Sequence, residues 1–243
     1  MADVIVEQAD RVLSLTLNRP ECGNLITMPM IKTITQTLRD VSRDTNVVVF
    51  RAAGADFCKG RDYARAPEDA AKGEIITAAT IRETMTSPVL AMYTAIKELS
   101  VPCIAVVQGA ALGFGCAFPC ACDIVLAGAG AKFGLPELHE RGLPPTLAMT
   151  ALLDRVSLRM LTYLAYSSTP IDARTAQAAG LVSAVYDDAH LSASAGDVIA
   201  GIASRPAEGI RAICRYLRLA PYMEPRGRAE FGANLFAVAA ASR

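Results

Sequence analysis

The chain has 243 residues, 52% of them hydrophobic and 20% charged, with 24 basic residues balanced by 24 acidic ones. That length buries a large core. The composition excludes a disordered polypeptide, and zero net charge excludes bulk attraction to nucleic acid. An apolar surplus without a membrane span predicts surface buried between subunits, so a homo-oligomer is expected.

The first residues, Met1 to Glu7, carry neither a basic start nor a signal-type apolar run. Seven scattered cysteines stand beside only two histidines, and Cys116-x3-Cys120-x-Cys122 fits no common zinc spacing. Small buried thiols, no metal and a reducing cytoplasm are therefore expected. Two strands, Val4–Glu7 and Val12–Leu17, lead through the turn Pro20 to Asn24 into a helix over Met28–Ser42. Ile31, Ile34, Leu38 and Val41 recur at spacings of three and four, one apolar helix face. The run Asn46–Phe50 is continuously apolar, which predicts a strand buried on both faces. A loop with glycines at 54 and 60 follows.

Residues 68–98 read as mostly helical, with an interruption near Ser87-Pro88. The stretch Val101–Cys122 is apolar enough to suggest a membrane span, but glycines, Pro102 and Pro119 break it and Asp123 closes it. A strand, Cys103–Val107, a turn at Gln108-Gly109 and a short buried helix from about Gly115 explain it better, with Pro119 in the helix's first turn. Strands Ile124–Ala127 and Ala131–Phe133 follow, then a carboxylate after a proline, Pro136-Glu137. Beyond Pro145 helices dominate: Thr146–Leu153, Leu158–Tyr166, Ala173–Ala179, Leu191–Ala203 and Ala207–Leu219, with one strand at Val182–Tyr186. The pattern predicts an α/β core over residues 1–190 and a helical part over 191–243.

The segment Val101–Glu137 carries the candidate chemistry. Strand, glycine turn and buried helix can hold backbone N–H groups against a developing negative charge, with one acid/base nearby. Gly128-Ala129-Gly130 lacks the spacing of a dinucleotide fingerprint. No GxSxG elbow accompanies His139 or His190. Arginines 211, 215, 218, 226 and 228 form a late basic region, read as a solvated or intersubunit face.

Four stretches together resemble the crotonase (enoyl-CoA hydratase/isomerase) superfamily: Leu17-Asn18-Arg19-Pro20-Glu21, Phe57-Cys58-Lys59-Gly60-Arg61-Asp62, Gln108 to Gly115, and Ile171-Asp172-Ala173 with Ala179-Gly180-Leu181-Val182. The resemblance implies a spiral of ββα units with a helical C-terminal trimerisation region, assembled as a homotrimer or dimer of trimers. It implies an acyl-CoA thioester as substrate, with coenzyme A part of that substrate and no permanently bound cofactor. It implies no nucleic-acid or membrane partner. In relatives a last helix often covers the adenine of CoA, a contribution expected to be reduced in a chain ending at Arg243.

By position, the resemblance makes the N–H groups of Arg61 and Phe114 the thioester-oxygen donors and Glu137 the acid/base. Cys22, Lys59, Gly60, Asp62, Tyr63, Gly113 and Pro136 fall on its substrate-binding stretches, although Asp62 also reads as a brace for the Gly60 loop. The Arg61 side chain is a candidate for CoA phosphates. The chain departs from the pattern at Ala117, where hydratases usually have a second glutamate. One base suffices for double-bond isomerisation, which is therefore expected over hydration. Two alternatives stay open: a hydratase pairing Glu137 with Glu140 or His139, and an inactive CoA-binding oligomeric scaffold.

Overall fold

A computed structural model describes residues 2–63 and 77–242. In chain order the strands are β1 (Val4–Ala9), β2 (Val12–Leu17), β3 (Val47–Ala52), β4 (Cys103–Val107), β5 (Ala110–Leu112), β6 (Ile124–Gly128), β7 (Lys132–Gly134), β8 (Ile171–Asp172) and β9 (Ala184–Tyr186). The helices are α1 (Met28–Arg39), α2 (Ala78–Ile81), α3 (Ser87–Lys97), α4 (Phe114–Ala121), α5 (Glu137–Arg141), α6 (Thr146–Leu152), α7 (Leu158–Ser167), α8 (Ala173–Ala178), α9 (Leu191–Ala203), α10 (Ala207–Leu219) and α11 (Pro225–Ala241). The expected ββα unit recurs as β1-β2-α1, β4-β5-α4 and β6-β7-α5.

Six strands form the main sheet in the order β1-β2-β3-β4-β6-β9, with β1 and β2 antiparallel and the remaining pairs parallel. A small second sheet, β5-β7-β8, takes the later strand of two units. Parallel strands are covered on both faces, and the residues divide accordingly. Val48 and Phe50 of β3 face the larger core with α1, α3 and α4, whereas Val47 and Val49 face a smaller one. Helix α9 closes that smaller core with Leu191, Ala195 and Ile199. The sheet's second face is thus covered by a helix from beyond residue 190.

Several sequence expectations need correction. Helix α1 stops at Arg39, so Val41 lies outside it, although it still packs against the core. Pro119 sits inside α4, not in its first turn, because the helix starts at Phe114. Only one intrahelical bond is lost, the one its missing N–H would make to Gly115. Near Ser87-Pro88 the helix does not break. It widens into a π turn over Arg82–Thr86, which accommodates a proline that cannot donate to Thr84. Of the 68–98 helical expectation, residues 68–76 lie outside the described part. Strands β5 and β8 and helices α5 and α11 were not anticipated. Helix α11 buries none of its residues fully within this chain; Phe231, Leu235 and Ala239 are half-buried, while Phe236 and Val238 point outward, so its apolar residues do not confine themselves to one face.

Candidate active site

Two glycine-rich loops and one short helix meet at the top of the sheets. Asn24, fully buried with φ 53, holds the first loop: its Nδ2 donates to the carbonyls of Ala53 and Asp56 at 2.8 Å, and its Oδ1 accepts from the Arg19 N–H. Arg19 in turn pairs with Asp62 at 3.0 Å, both side chains largely buried. The Asn18-Arg19-Pro20 stretch therefore braces the loop that carries Cys58 to Asp62.

That loop docks on β5 through a parallel bridge between Cys58 and Ala111. Cys58 N–H donates to Ala110 at 3.0 Å, and Leu112 N–H donates to Cys58 at 2.9 Å. Three residues beyond the bridge on each side stand Arg61 and Phe114. On the loop's other side, Ile26 N–H donates to Gly60 and Asp62 N–H donates to Ile26, each at 2.9 Å. Successive residues of an extended chain direct their N–H groups to opposite sides, so the Arg61 N–H is turned away from Ile26. Among the described residues, neither the Arg61 nor the Phe114 N–H donates to any acceptor. Phe114 is the first residue of α4, where an N–H has no intrahelical partner.

Glycine is needed at two positions here. Gly113 has φ 55 and ψ −121, a region closed to side chains, and an added Cβ would lie 2.6 Å from Glu137 Oε1. At Gly115 an added Cβ would lie 2.0 Å from the Cys58 carbonyl oxygen, so the two loops touch backbone to backbone. Beneath them Phe118 stacks on Phe57 and on Phe114, with ring centroids 5.6 and 6.0 Å apart, and meets Phe50 edge-on at 4.6 Å. This aromatic block fixes α4 against the loop.

A cavity of about 280 Å³ opens beside these loops, bordered by Arg61, Tyr63, Phe114 and Glu137, by Tyr93 of α3, and by the segment 143–148. Glu137 opens α5 and is half-buried; its Oε2 is buried with no hydrogen-bond partner. Burial pushes its carboxyl pKa up, and the neighbouring Glu140 charge adds to that, against the opposing influence of its own backbone N–H and Arg141. If Glu137 works as the base, the acid limb of the kcat–pH profile is expected to lie above the ordinary carboxylate range. A limb at an unshifted carboxylate pKa, measured by steady-state rates across pH, would refute that placement.

Four candidates, Arg61, Tyr63, Phe114 and Glu137, thus share one cavity, while Cys22, Lys59, Gly60, Asp62, Gly113 and Pro136 do not border it. Gly113 still touches the Glu137 carboxyl, and Pro136 caps α5. Lys59 pairs with Asp56 at 2.8 Å and lies over Gly23 next to Cys22. The Arg61 guanidinium turns inward to the Met85 carbonyl at 3.4 Å and Met28 Sδ at 3.1 Å, an orientation unlike the phosphate contact expected of it. The Arg61 and Arg141 guanidinium groups both lie over the Tyr63 ring, at 5.4 and 4.2 Å from its centroid. His139 and Glu140 are exposed on α5 and do not border the cavity. Ala117 is fully buried and contributes no polar atom. Sequence reasoning missed Tyr93, whose only signal was a hydroxyl on an otherwise apolar helix face.

The family model for enoyl-CoA hydratase/isomerase matches residues 7–234. The 2,3-dehydroadipyl-CoA hydratase of Escherichia coli K12 is 32% identical over 194 residues, covering 76% of this chain and 70% of that protein. Among solved structures, an enoyl-CoA hydratase from Mycobacterium smegmatis superposes with a TM-score of 0.89 at 20% identity, over 98% of this chain and 91% of that one. A Thermobifida fusca structure in complex with CoA gives a TM-score of 0.88 at 23% identity, over 99% and 94% of the two chains. These two structural likenesses carry the fold.

Proposed function

The chain belongs to the enoyl-CoA hydratase/isomerase family and is an enzyme of that family, and on this premise we propose that it isomerises the double bond of an enoyl-CoA thioester. Glu137 removes a proton from C2 of a 3-enoyl thioester. The electron pair moves onto the thioester oxygen as an enolate, and the N–H groups of Arg61 and Phe114 hold that oxygen. The double bond re-forms between C2 and C3, and Glu137 returns the proton at C4. One such amide donor is typically worth about 3–4 kcal/mol of barrier. The observation that carries the reading is a half-buried carboxyl with an unpartnered oxygen, on the same cavity as two uncommitted amides, with a methyl group at position 117.

The relative named a hydratase favours a second reading, water addition with Glu137 taking the water's proton. Butenoyl thioesters in heavy-oxygen water separate the two. With 3-butenoyl-CoA, the expected product is 2-butenoyl-CoA without incorporated ¹⁸O. Faster conversion of 2-butenoyl-CoA into an ¹⁸O-labelled hydroxyacyl product would overturn the isomerase reading in favour of hydration. The inactive-scaffold alternative finds no support in a family enzyme that retains Glu137.

The CoA moiety of the substrate is part of this proposal, supported by the CoA-bound T. fusca neighbour's shared fold. So is a homotrimer or dimer of trimers. Ile213, Leu217 and Phe236 of α10 and α11 are 63%, 65% and 77% exposed, and an apolar groove of about 710 Å³ lies between the two helices. A surface of that kind is normally buried between subunits. No helix among the described residues is long and apolar enough to cross a membrane. A cytoplasmic enzyme without a resident cofactor completes the proposal.

A further inference from the structure

We propose that Tyr93 is a substrate-binding residue of this site, its phenol O–H donating to an oxygen carried on the acyl chain near the carbons that Glu137 serves. The proposal rests on the acyl-CoA reading above and deepens it, by naming an oxygen-bearing acyl group as the preferred substrate class.

Tyr93 stands on the buried face of α3 and is 5% exposed, yet it borders the cavity with Arg61, Phe114 and Glu137. Its hydroxyl is buried with no hydrogen-bond partner. Buried tyrosine hydroxyls ordinarily find a partner, because an unpaired one forfeits its hydration for nothing. The ring cannot readily turn elsewhere, since it stacks on Phe114 at 6.0 Å with the planes 17° apart. That stacking ties the phenol to the residue whose amide is assigned to the thioester oxygen.

The charge environment makes the phenol a donor. Burial, reinforced by Cys116 and Glu137 and opposed by Arg61, raises its pKa, so the hydroxyl keeps its proton. The same cavity wall holds a second orphan, Glu137 Oε2, which is an acceptor when ionised. One buried donor and one buried acceptor without partners are complementary to a hydroxyl, which accepts from one and donates to the other. A plain hydrocarbon chain would leave both unsatisfied. Ala117 is fully buried and offers no carboxylate where the resemblance leads one to expect one, whereas Tyr93 brings a neutral polar group to the cavity wall.

The test compares 3-hydroxybutanoyl-CoA with butanoyl-CoA by isothermal titration, in the wild-type protein and in Tyr93→Phe. Wild type is expected to bind the hydroxy ester about tenfold more tightly, and Tyr93→Phe to reduce that ratio to near one. Phenylalanine keeps the stacking on Phe114 and removes only an unpartnered hydroxyl, so Tm is expected at or above the wild-type value. Equal binding of the two esters by wild type would overturn the proposal and leave the acyl-CoA reading standing. So would a ratio unchanged by Tyr93→Phe. Failure of wild type to bind either ester would overturn both.

Discussion

Glu137→Gln is expected to lower kcat on enoyl-CoA substrates about a thousandfold while leaving thioester affinity nearly unchanged. The carboxyl is the one carboxylate on the cavity wall among the described residues, and positioned proton transfer typically contributes between about a hundred- and ten-thousandfold. Glutamine preserves shape and hydrogen bonding but cannot accept the C2 proton. Loss of turnover with retained binding separates a chemical role from a binding one. Turnover by Glu137→Gln within a few-fold of wild type would end the assignment.

The same substitution should move stability in the opposite direction. Burial raises the Glu137 pKa in the folded chain above its unfolded value, so the folded state holds the proton more tightly. The stability this contributes is complete below the unfolded pKa and is lost as pH rises through the folded pKa. Above the folded-state pKa the protein carries a desolvated carboxylate, with one oxygen lacking any partner, at a net disadvantage. Glu137→Gln should raise Tm at pH values above the folded-state pKa and lose that advantage in acid. A variant that is less stable than wild type above that pKa would show that the carboxylate has a structural partner after all. Stability surrendered at one residue in exchange for reactivity is the pattern expected of a working site.

Gly115→Ala is expected to have the second large effect, on both fold and activity. Its Cβ would be placed 2.0 Å from the Cys58 carbonyl oxygen and 2.7 Å from the carbonyl carbon, so backbone, not a side-chain tip, would have to yield. Cys58 is fully buried and hydrogen-bonded to β5 through both of its backbone groups, which leaves the loop little room to retreat. Overpacking of this kind costs about 1–3 kcal/mol. The catalytic effect should be larger than the stability loss suggests if the Arg61 and Phe114 amides act together as proposed, because Gly115 and Cys58 belong to the two segments that carry them. A donor misplaced by about 1 Å can lower the rate about a hundredfold. Thermal unfolding and kcat on one preparation test both parts. Wild-type values for Gly115→Ala would mean that the two loops are not held by this contact.

Much of this architecture was legible in the residue order. The unbroken apolar run at Val47–Phe50 announced a strand covered on both faces, and two separate cores now take its alternate residues. The glycines around Phe114 and the carboxylate after Pro136 pointed to amides beside an acid, and the fold places Arg61, Phe114 and Glu137 on one cavity. Patterning and glycine chemistry are local properties, so a sequence displays them directly.

Other features belong to the tertiary structure alone. Strands β5 and β8 span three and two residues, too few for any periodicity to register, and exist because neighbouring strands pair with them. Helix α11 has no fully buried residue within the chain, and its apolar residues, half-buried Leu235 and exposed Phe236 and Val238 among them, are spread over several sides, so no single helical period marks it. The π turn before Pro88 is one of several ways a helix can accommodate a proline, and packing selected it. Tyr93 is the clearest case: α3 lies some forty residues before Glu137 in sequence, and only folding sets its hydroxyl on the same wall. Sequence fixes what each segment can do by itself, whereas which orphaned polar atoms face one another depends on contacts between distant segments, and those form only when the core closes.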